Sequence, residues 1–318
     1  MDAANNLPRT LQEAVLYFAR PGVAREYLAK LRWPDGPFCP SCGLIGDDIY
    51  LMAKVERWKC RGCKRQFSVK VGTIMEDSPI RLDKWLCAIW MVANCKNGVS
   101  SYEIHRALGV TQKTAWFMLH RIRLAMNAGR IFEPFSGSGP FEADETYVGG
   151  KISNKHLSER KALGSRVNSS AKAIVMGILE RGGRVRAKLV PDATGVTLKG
   201  ELKANLKPGS TLHTDSLPSF RGIEEHVAHA TVNHLEEYVR GEVHTQGIEN
   251  FWSLLKRSLK GTCVNVDPMH LGAYVDEQVF RFNERKHDDA GRHAKVAANI
   301  GGKRLTYKGL IGVSECER

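Results

Sequence analysis

Four cysteines constrain the fold more than any other feature of this chain of 318 residues. They form two Cys-x2-Cys pairs separated by 17 residues, and they are Cys39, Cys42, Cys60 and Cys63. Each pair can form a tight turn in which both thiolates face one tetrahedral ion at ~2.3 Å. Two disulfides are the alternative, but the first residues lack the features of a secretory signal that would indicate an oxidising compartment. The spacing therefore predicts a structural Zn²⁺ site in a zinc ribbon.

The second cysteine pair lies in a strongly basic segment. Six Lys and Arg residues and no acidic residue occur between Arg57 and Lys70, with Trp58 and Phe67 among them. A solvated basic face would account for this pattern, and so would contact with the phosphates of nucleic acid. The second interpretation makes the following residues candidates for DNA binding: Arg57, Lys59, Arg61, Lys64 and Arg65.

The net charge also favours a polyanionic partner. The chain has 47 Lys and Arg against 34 Asp and Glu, a net charge of +13, of which +8 lies before residue 136. Nucleic acid is the first expectation for such a surface. The apolar stretches, such as 85–93, are shorter than the ~20 residues that a membrane-spanning helix needs. We therefore expect a cytoplasmic protein that binds nucleic acid and no membrane.

The segment 98–126 resembles a helix-turn-helix. It predicts a first helix over 101–108, a turn at Gly109, and a second helix capped by Thr111. Gln112, Lys113 and Trp116 would then lie on the face that enters a major groove. Any two helices joined by a glycine turn can show this pattern, so a purely structural helix pair remains an alternative. Shorter helices are expected within 8–31 and an apolar helix over 82–94.

After a Gly/Pro/Ser-rich segment at 131–140, strand-like and helix-like segments alternate. Strands are expected at 141–148, 173–179, 185–190, 211–214 and 230–233, and helices at 196–206, 217–225, 247–259 and 270–285. Three strands followed by alternating helices and strands indicate a mixed α/β sheet, in an order that resembles the ribonuclease H-like fold.

Three acidic residues occupy positions that such a sheet would bring together. Asp144 lies within a strand, with Glu142 on the same face, and Asp215 ends another strand. Glu249 begins the helix at 247–259, and Lys256 follows it by two turns on the same side. Any one of these acids alone could be an ordinary surface charge, but their joint placement favours a site.

Converging carboxylates in a folded core require a cation to offset their repulsion. Hard oxygen ligands suit Mg²⁺ or Mn²⁺, and two such ions can promote cleavage of a phosphodiester. The sequence therefore predicts a Mg²⁺ or Mn²⁺ site at Asp144, Asp215 and Glu249.

Five segments also resemble a known family. They are Asp144-Glu-Thr-Tyr-Val-Gly-Gly-Lys151, His213-Thr-Asp215, Asn233-His-Leu-Glu-Glu-Tyr238, Val243–Arg257 and Leu271–Arg285. Together they are similar to zinc-ribbon DDE transposases of insertion sequences, the ISXO-type group distantly related to Mutator-like transposases. The resemblance covers about residues 10–290 and departs at Gln246, where family members often carry Asn.

The resemblance implies a DDE catalytic triad of Asp144, Asp215 and Glu249, with Lys256 near the DNA. It also implies binding to terminal inverted repeats, a homo-oligomer that holds two element ends, and a bacterial, nucleoid-associated protein. Four further basic residues would belong either to a mobile DNA-binding loop or to a solvated insertion: Lys155, Arg160, Lys161 and Arg166. A noncatalytic DNA-binding regulator and a ribonuclease H-like nuclease without strand transfer are the alternative functions.

These patterns divide the chain into six parts. They are N-terminal helices (1–32), a zinc ribbon (33–72), a helix-turn-helix-like segment (80–130), a linker (131–140), a ribonuclease H-like catalytic domain (141–290) and a C-terminal tail (291–318).

Overall fold

The computed structural model describes residues 7–127, 134–149, 172–232 and 244–313. Contacts divide the chain into two compact units: Met1–Ala128 with Glu284–Arg318, and Gly129–Asn283. Within the described ranges, no helix has the length and apolar character needed to cross a bilayer.

The helices and strands are numbered here in chain order. The helices are α1 (Leu11–Ala19), α2 (Val23–Arg32), α3 (Leu82–Asn94), α4 (Ser101–Leu108), α5 (Gln112–Met126), α6 (Gly195–Asn205), α7 (Gln246–Arg257), α8 (Leu271–Asn283), α9 (Asp289–Ala298) and α10 (Tyr307–Leu310). The strands are β1 (Ile49–Met52), β2 (Arg57–Cys60), β3 (Gln66–Phe67), β4 (Phe141–Val148), β5 (Ala173–Glu180), β6 (Val185–Val190), β7 (Thr211–Asp215) and β8 (Ala228–Val232).

The ribbon in the first unit is an antiparallel sheet of β1, β2 and β3. Trp58 lies opposite Phe67 across β2 and β3, and both side chains are buried. Trp33 packs edge-on against both rings. The two aromatic residues within the basic segment therefore form the ribbon's own core, and the basic side chains lie around them.

Helices α4 and α5 form the expected helix pair. Ser100 caps α4 in a capping box, since its hydroxyl accepts from the Glu103 backbone and the Glu103 carboxylate accepts from the Ser100 backbone. Gly109 ends α4 in the left-handed conformation that glycine adopts without strain. Thr111 then caps α5 by accepting from the backbone N–H of Thr114. Local capping chemistry thus sets the bounds of both helices.

The second unit contains a sheet with strand order β6-β5-β4-β7-β8 among the described residues. Strand β5 is antiparallel to β4 and β6, whereas β4, β7 and β8 are mutually parallel. Helix α6 packs against one face of this sheet through Leu198 and Leu202. Helices α7 and α8 pack against the other face, through residues such as Phe251 and Val275. The expected mixed α/β sheet with flanking helices is confirmed.

Some segments differ from the sequence expectations. The helix expected over 217–225 is a single 3₁₀ turn at Pro218–Phe220, because Arg221 is extended and Gly222 has a φ of +83°. Helix α9, which the sequence analysis did not predict, is capped by Asp288 and packs against α3 in the first unit. Its buried residues include His293, which stacks on Tyr27.

Candidate active site

Strands β4 and β7 bring two of the three acidic residues to the same region of the sheet. The strands pair in parallel, with Phe141 opposite Leu212 and Glu142 opposite His213. Asp144 and Asp215 each follow two residues later, so strand alternation directs them to the same face as Glu142 and His213. Both carboxylates therefore lie just beyond the end of the β4–β7 pairing.

Helix α7 docks directly on the strand that carries Asp144. The indole Nε1 of Trp252 donates to Oδ2 of Asp144 at 2.9 Å. Gly177 lies opposite Asp144 on β5, and a Cβ at this position would be only 2.7 Å from the Trp252 ring. A glycine at 177 thus leaves the space in which the indole reaches Asp144.

The same helix supplies Glu249 in its first turn. Oε1 of Glu249 accepts from the hydroxyl of Thr245 at 2.8 Å. On β7, Oδ1 of Asp215 accepts from the backbone N–H of Leu217 at 3.1 Å. Each of these two carboxylates is therefore oriented by a hydrogen bond from its own segment.

The charges of Asp215 and Glu249 act on Asp144. Burial raises the pKa of Asp144 to about 6, and the negative charges of Asp215 and Glu249 add to this effect. Burial likewise raises the pKa of Glu145 to about 7, together with the charges of Asp144 and Asp215. The described residues thus place an excess of negative charge here, which a divalent cation would offset.

The four cysteines are the closest group of metal-ligating side chains among the described residues. Their sulfurs all lie within 4.8 Å of one another, and no other described group of three or more His, Cys, Asp or Glu residues meets this limit. The Sγ–Sγ distances are 3.6 Å for Cys39 and Cys63 and 3.7 Å for Cys42 and Cys60. Tetrahedral Zn²⁺ with Zn–S bonds of ~2.3 Å needs sulfurs about 3.8 Å apart, so the cluster fits Zn²⁺.

The sequence profiles of two protein families match these two regions of the chain. The transposase zinc-ribbon domain matches residues 22–66, and the ISXO2-like transposase domain matches residues 137–283. The resemblance to zinc-ribbon transposases of insertion sequences is thus confirmed in both of these regions. The second match ends at the last residue of α8, where the second compact unit also ends.

Two proteins similar to this chain carry names that agree with the family matches. An uncharacterized protein in transposable element ISH50 of Halobacterium salinarum is 28% identical over 248 residues, which cover 74% of this chain and 82% of the relative. An uncharacterized transposase-like protein of Haemophilus influenzae is 28% identical over 101 residues, covering 31% of this chain and 81% of that relative.

A polar network lies beside the carboxylates, and its central residue, Arg181, is not indicated by any sequence pattern. Nε of Arg181 donates to Oε1 of the fully buried Glu142 at 3.0 Å. Its Nη2 lies 3.0 Å from Nδ1 of His213 and also donates to the carbonyl oxygen of His244 at 3.0 Å. Burial and the adjacent guanidinium both lower the pKa of His213, so the neutral imidazole is favoured. Arg181 occupies a hairpin turn, where no sequence pattern indicates such partners.

The basic residues of the ribbon are accessible in the structure. Arg57, Arg61, Lys64 and Arg65 are exposed, and Lys59 is half-buried. The guanidinium of Arg61 lies over the ring of Tyr50 at 5.4 Å. Four other predicted DNA-binding residues lie outside the described ranges: Lys155, Arg160, Lys161 and Arg166.

The candidate DNA-reading residues of α5 make contacts within the first unit. The side-chain amide of Gln112 donates to the hydroxyl of Ser101 at 2.9 Å. The ammonium of Lys113 lies 4.6 Å from the ring centre of Tyr307, and Trp116 also contacts that ring. Helix α10 thus packs beside the part of α5 that a helix-turn-helix would present to a groove.

Lys256 lies on α7, two turns after Glu249. This spacing places the two residues on the same side of the helix and ~10 Å apart along its axis. Lys256 is half-buried. At this spacing, Lys256 and Glu249 are too far apart along the helix for a direct ion pair between their backbone positions to be expected.

Proposed function

We propose that this protein is a transposase that cleaves DNA at the ends of its own element and joins the freed ends to target DNA. The observation that carries the proposal is the docking of α7 on β4, which brings Glu249 to the region where Asp144 and Asp215 lie. The charges of Asp215 and Glu249 raise the pKa of Asp144, so both acids act on it, although the three carboxylates do not approach one another as closely as the four cysteine sulfurs do. The proposal includes a ribonuclease H-like fold for the second unit, supported by its three antiparallel strands followed by two parallel strands.

Asp144, Asp215 and Glu249 would hold Mg²⁺ or Mn²⁺, because three carboxylates form a hard, anionic oxygen donor set. When bound, the metal would neutralise their charge and stabilise the negative charge that develops on phosphodiester oxygens. The protein's own contribution is orientation: the indole of Trp252 fixes Asp144, and the hydroxyl of Thr245 fixes Glu249. These hydrogen bonds reduce the rearrangement that the acids need before reaction.

The proposed reaction has two steps. Water first hydrolyses a phosphodiester at the element end, which leaves a free 3′ hydroxyl on the transferred strand. That hydroxyl then attacks a phosphodiester of the target, and a target 3′ oxygen leaves as the new P–O bond forms. Lys256 would contact a phosphate of the DNA beside the carboxylates, where its ammonium balances negative charge.

The zinc ribbon and the helix-turn-helix would recognise the terminal inverted repeats. Bound Zn²⁺ would hold the ribbon rigid, so that the exposed basic residues on it contact phosphates at fixed spacing. A homo-oligomer is also part of the proposal, since two element ends must be held together for joining. We expect the protein to act in the bacterial cytoplasm, at the nucleoid.

The test is a cleavage and joining assay on duplexes that carry the element's own ends. We expect nicking that requires Mg²⁺ or Mn²⁺ in the wild type and is lost in Asp144→Asn, Asp215→Asn and Glu249→Gln. Glu225→Gln is the matched control, because Glu225 is an exposed acid in the same unit. Binding without nicking by the wild type would indicate a DNA-binding regulator, and nicking without a joined product would indicate a simple nuclease.

A further inference from the structure

Arg181 connects three separate segments of the second unit. Its guanidinium donates to the carboxylate of Glu142 on β4 and to the carbonyl oxygen of His244 before α7, and it meets the imidazole of His213 on β7. The three partners are 39, 63 and 32 residues away in sequence, respectively. One side chain thus fixes the relative positions of two strands and the start of a helix.

These are the segments that carry the proposed metal ligands. Glu142 and His213 each precede a proposed ligand by two residues of strand, so each shares a face with it. His244 precedes Glu249 by five residues, at the entry to α7. A shift of any segment relative to Arg181 would therefore also shift the carboxylate that the segment carries.

Glu142 connects the strand to the helix a second time. Its Oε2 accepts from the backbone N–H of Ile248 at 2.9 Å, in the first turn of α7. Thr245, at the N-cap position, makes no side-chain cap and instead donates to Glu249. Glu142 thus replaces the missing cap from a distant strand, and Gly247 permits this approach, because a Cβ there would lie 2.7 Å from Oε2.

We propose that Arg181 and Glu142 form a clamp that sets the positions of the three carboxylates, and that both are positioning residues rather than metal ligands. The inference rests on the proposed function of that site. Glu142 is fully buried, and each of its oxygens already accepts a hydrogen bond from the protein. It therefore acts on the site through α7 and β4, although its position in the sequence would equally suit a fourth metal ligand.

The geometry of the guanidinium is essential to this role. The planar guanidinium has several N–H donors and can contact a carboxylate, an imidazole and a carbonyl at once. A lysine ammonium is a single compact charge on a flexible alkyl chain. Arg181→Lys keeps a positive charge near the buried Glu142 and loses the planar guanidinium. Arg184→Lys is the matched control, because Arg184 is exposed on the same hairpin and its side chain faces solvent.

The experiment compares these variants and Glu142→Gln with the wild type. Folding is followed by circular dichroism, Mn²⁺ binding by electron paramagnetic resonance of the free ion, and cleavage on an element-end duplex. We expect Arg181→Lys and Glu142→Gln to bind Mn²⁺ at least tenfold more weakly while still folded. Cleavage should fall ~10- to 100-fold, since a displacement of about 1 Å at a reactive site costs this much.

Two results would overturn the clamp. The first is that folded Arg181→Lys and Glu142→Gln bind Mn²⁺ and cleave DNA as well as a wild type that itself cleaves. The second is that Mn²⁺ affinity and cleavage fall only in proportion to the fraction of unfolded protein, which would assign Arg181 and Glu142 a purely structural role. Failure of the wild type to cleave would instead refute the proposed function, and the Mn²⁺ affinities would still test the clamp.

Discussion

A substitution at Gly177 should disturb the candidate site without changing any of its polar groups. A Cβ at this position would lie 2.7 and 2.8 Å from two carbons of the Trp252 ring and 2.9 Å from Cδ1 of Ile248. Carbon atoms in contact are ~3.5 Å apart or more, so Gly177→Ala must displace the indole by about 0.8 Å. Overpacking of this kind costs about 1–3 kcal/mol.

The displaced indole also donates the hydrogen bond to Asp144. A hydrogen bond to a charged group contributes about 1.5–3 kcal/mol, so its weakening should lower cleavage by at least about tenfold. Thermal unfolding should shift downward by roughly 2–4 °C for each kcal/mol lost in a unit of this size. The assays are thermal denaturation by circular dichroism and metal-dependent nicking of an element-end duplex.

Gly200→Ala is the matched control for this prediction. Gly200 lies within α6 in the same unit, and a Cβ there would meet no atom within 4 Å. Alanine should stabilise this helix by about 0.5–1 kcal/mol and leave cleavage unchanged. Wild-type stability and cleavage in Gly177→Ala would refute the argument that this glycine leaves the space for Trp252 to hold Asp144.

Three further predictions test other parts of the structure. Cys42→Ser should lower the zinc content measured by atomic absorption and unfold the ribbon, because one of four closely spaced ligands is lost. Retention of one equivalent of Zn²⁺ by this variant would contradict the four-cysteine site. The pKa of Asp144 is raised from 3.8 to about 6 in the folded protein, so the protonated side chain favours the folded state of the metal-free protein. This contribution to the free energy of unfolding should be complete below pH ~4 and lost as the pH rises through ~6. It amounts to at most about 3 kcal/mol. Urea unfolding should show a smaller decline in Asp144→Asn than in the wild type, because Glu145, whose pKa is also raised, still contributes to it. Equal pH profiles of the two proteins would contradict the prediction. Tyr307→Ala should lower the stability of the first unit by about 1–2 kcal/mol, because Lys113, Trp116 and Phe117 lose a ring contact, whereas Tyr307→Phe should unfold as the wild type does.

The elements that position the site were predictable where their signals are local. Strand alternation placed Glu142 and Asp144 on one face, and the 3.6-residue period identified the buried stripe of α7, including Phe251 and Trp252. The caps of α4 and α5 were also visible in short sequence patterns. Each of these inferences depends only on neighbours within one or two turns.

The interactions that the sequence could not predict all join distant segments. Arg181 finds its partners 32 to 63 residues away, and nothing in a hairpin turn indicates which strands pass beside it. The contacts of Lys113 and Trp116 with Tyr307 depend on the return of the chain to the first unit after α8. Burial and pairing of this kind are set by the tertiary fold rather than by local sequence.

We propose that Asp144, Asp215 and Glu249 form one metal-dependent centre for DNA cleavage. The most direct test of this proposal is nicking of a duplex bearing the element's own end, measured with and without Mg²⁺ for the wild type, Asp144→Asn and Glu225→Gln. We expect Mg²⁺-dependent nicking by the wild type and Glu225→Gln and none by Asp144→Asn, with DNA affinity retained in all three. Nicking by Asp144→Asn at the wild-type rate, or no Mg²⁺-dependent nicking by the wild type, would contradict it.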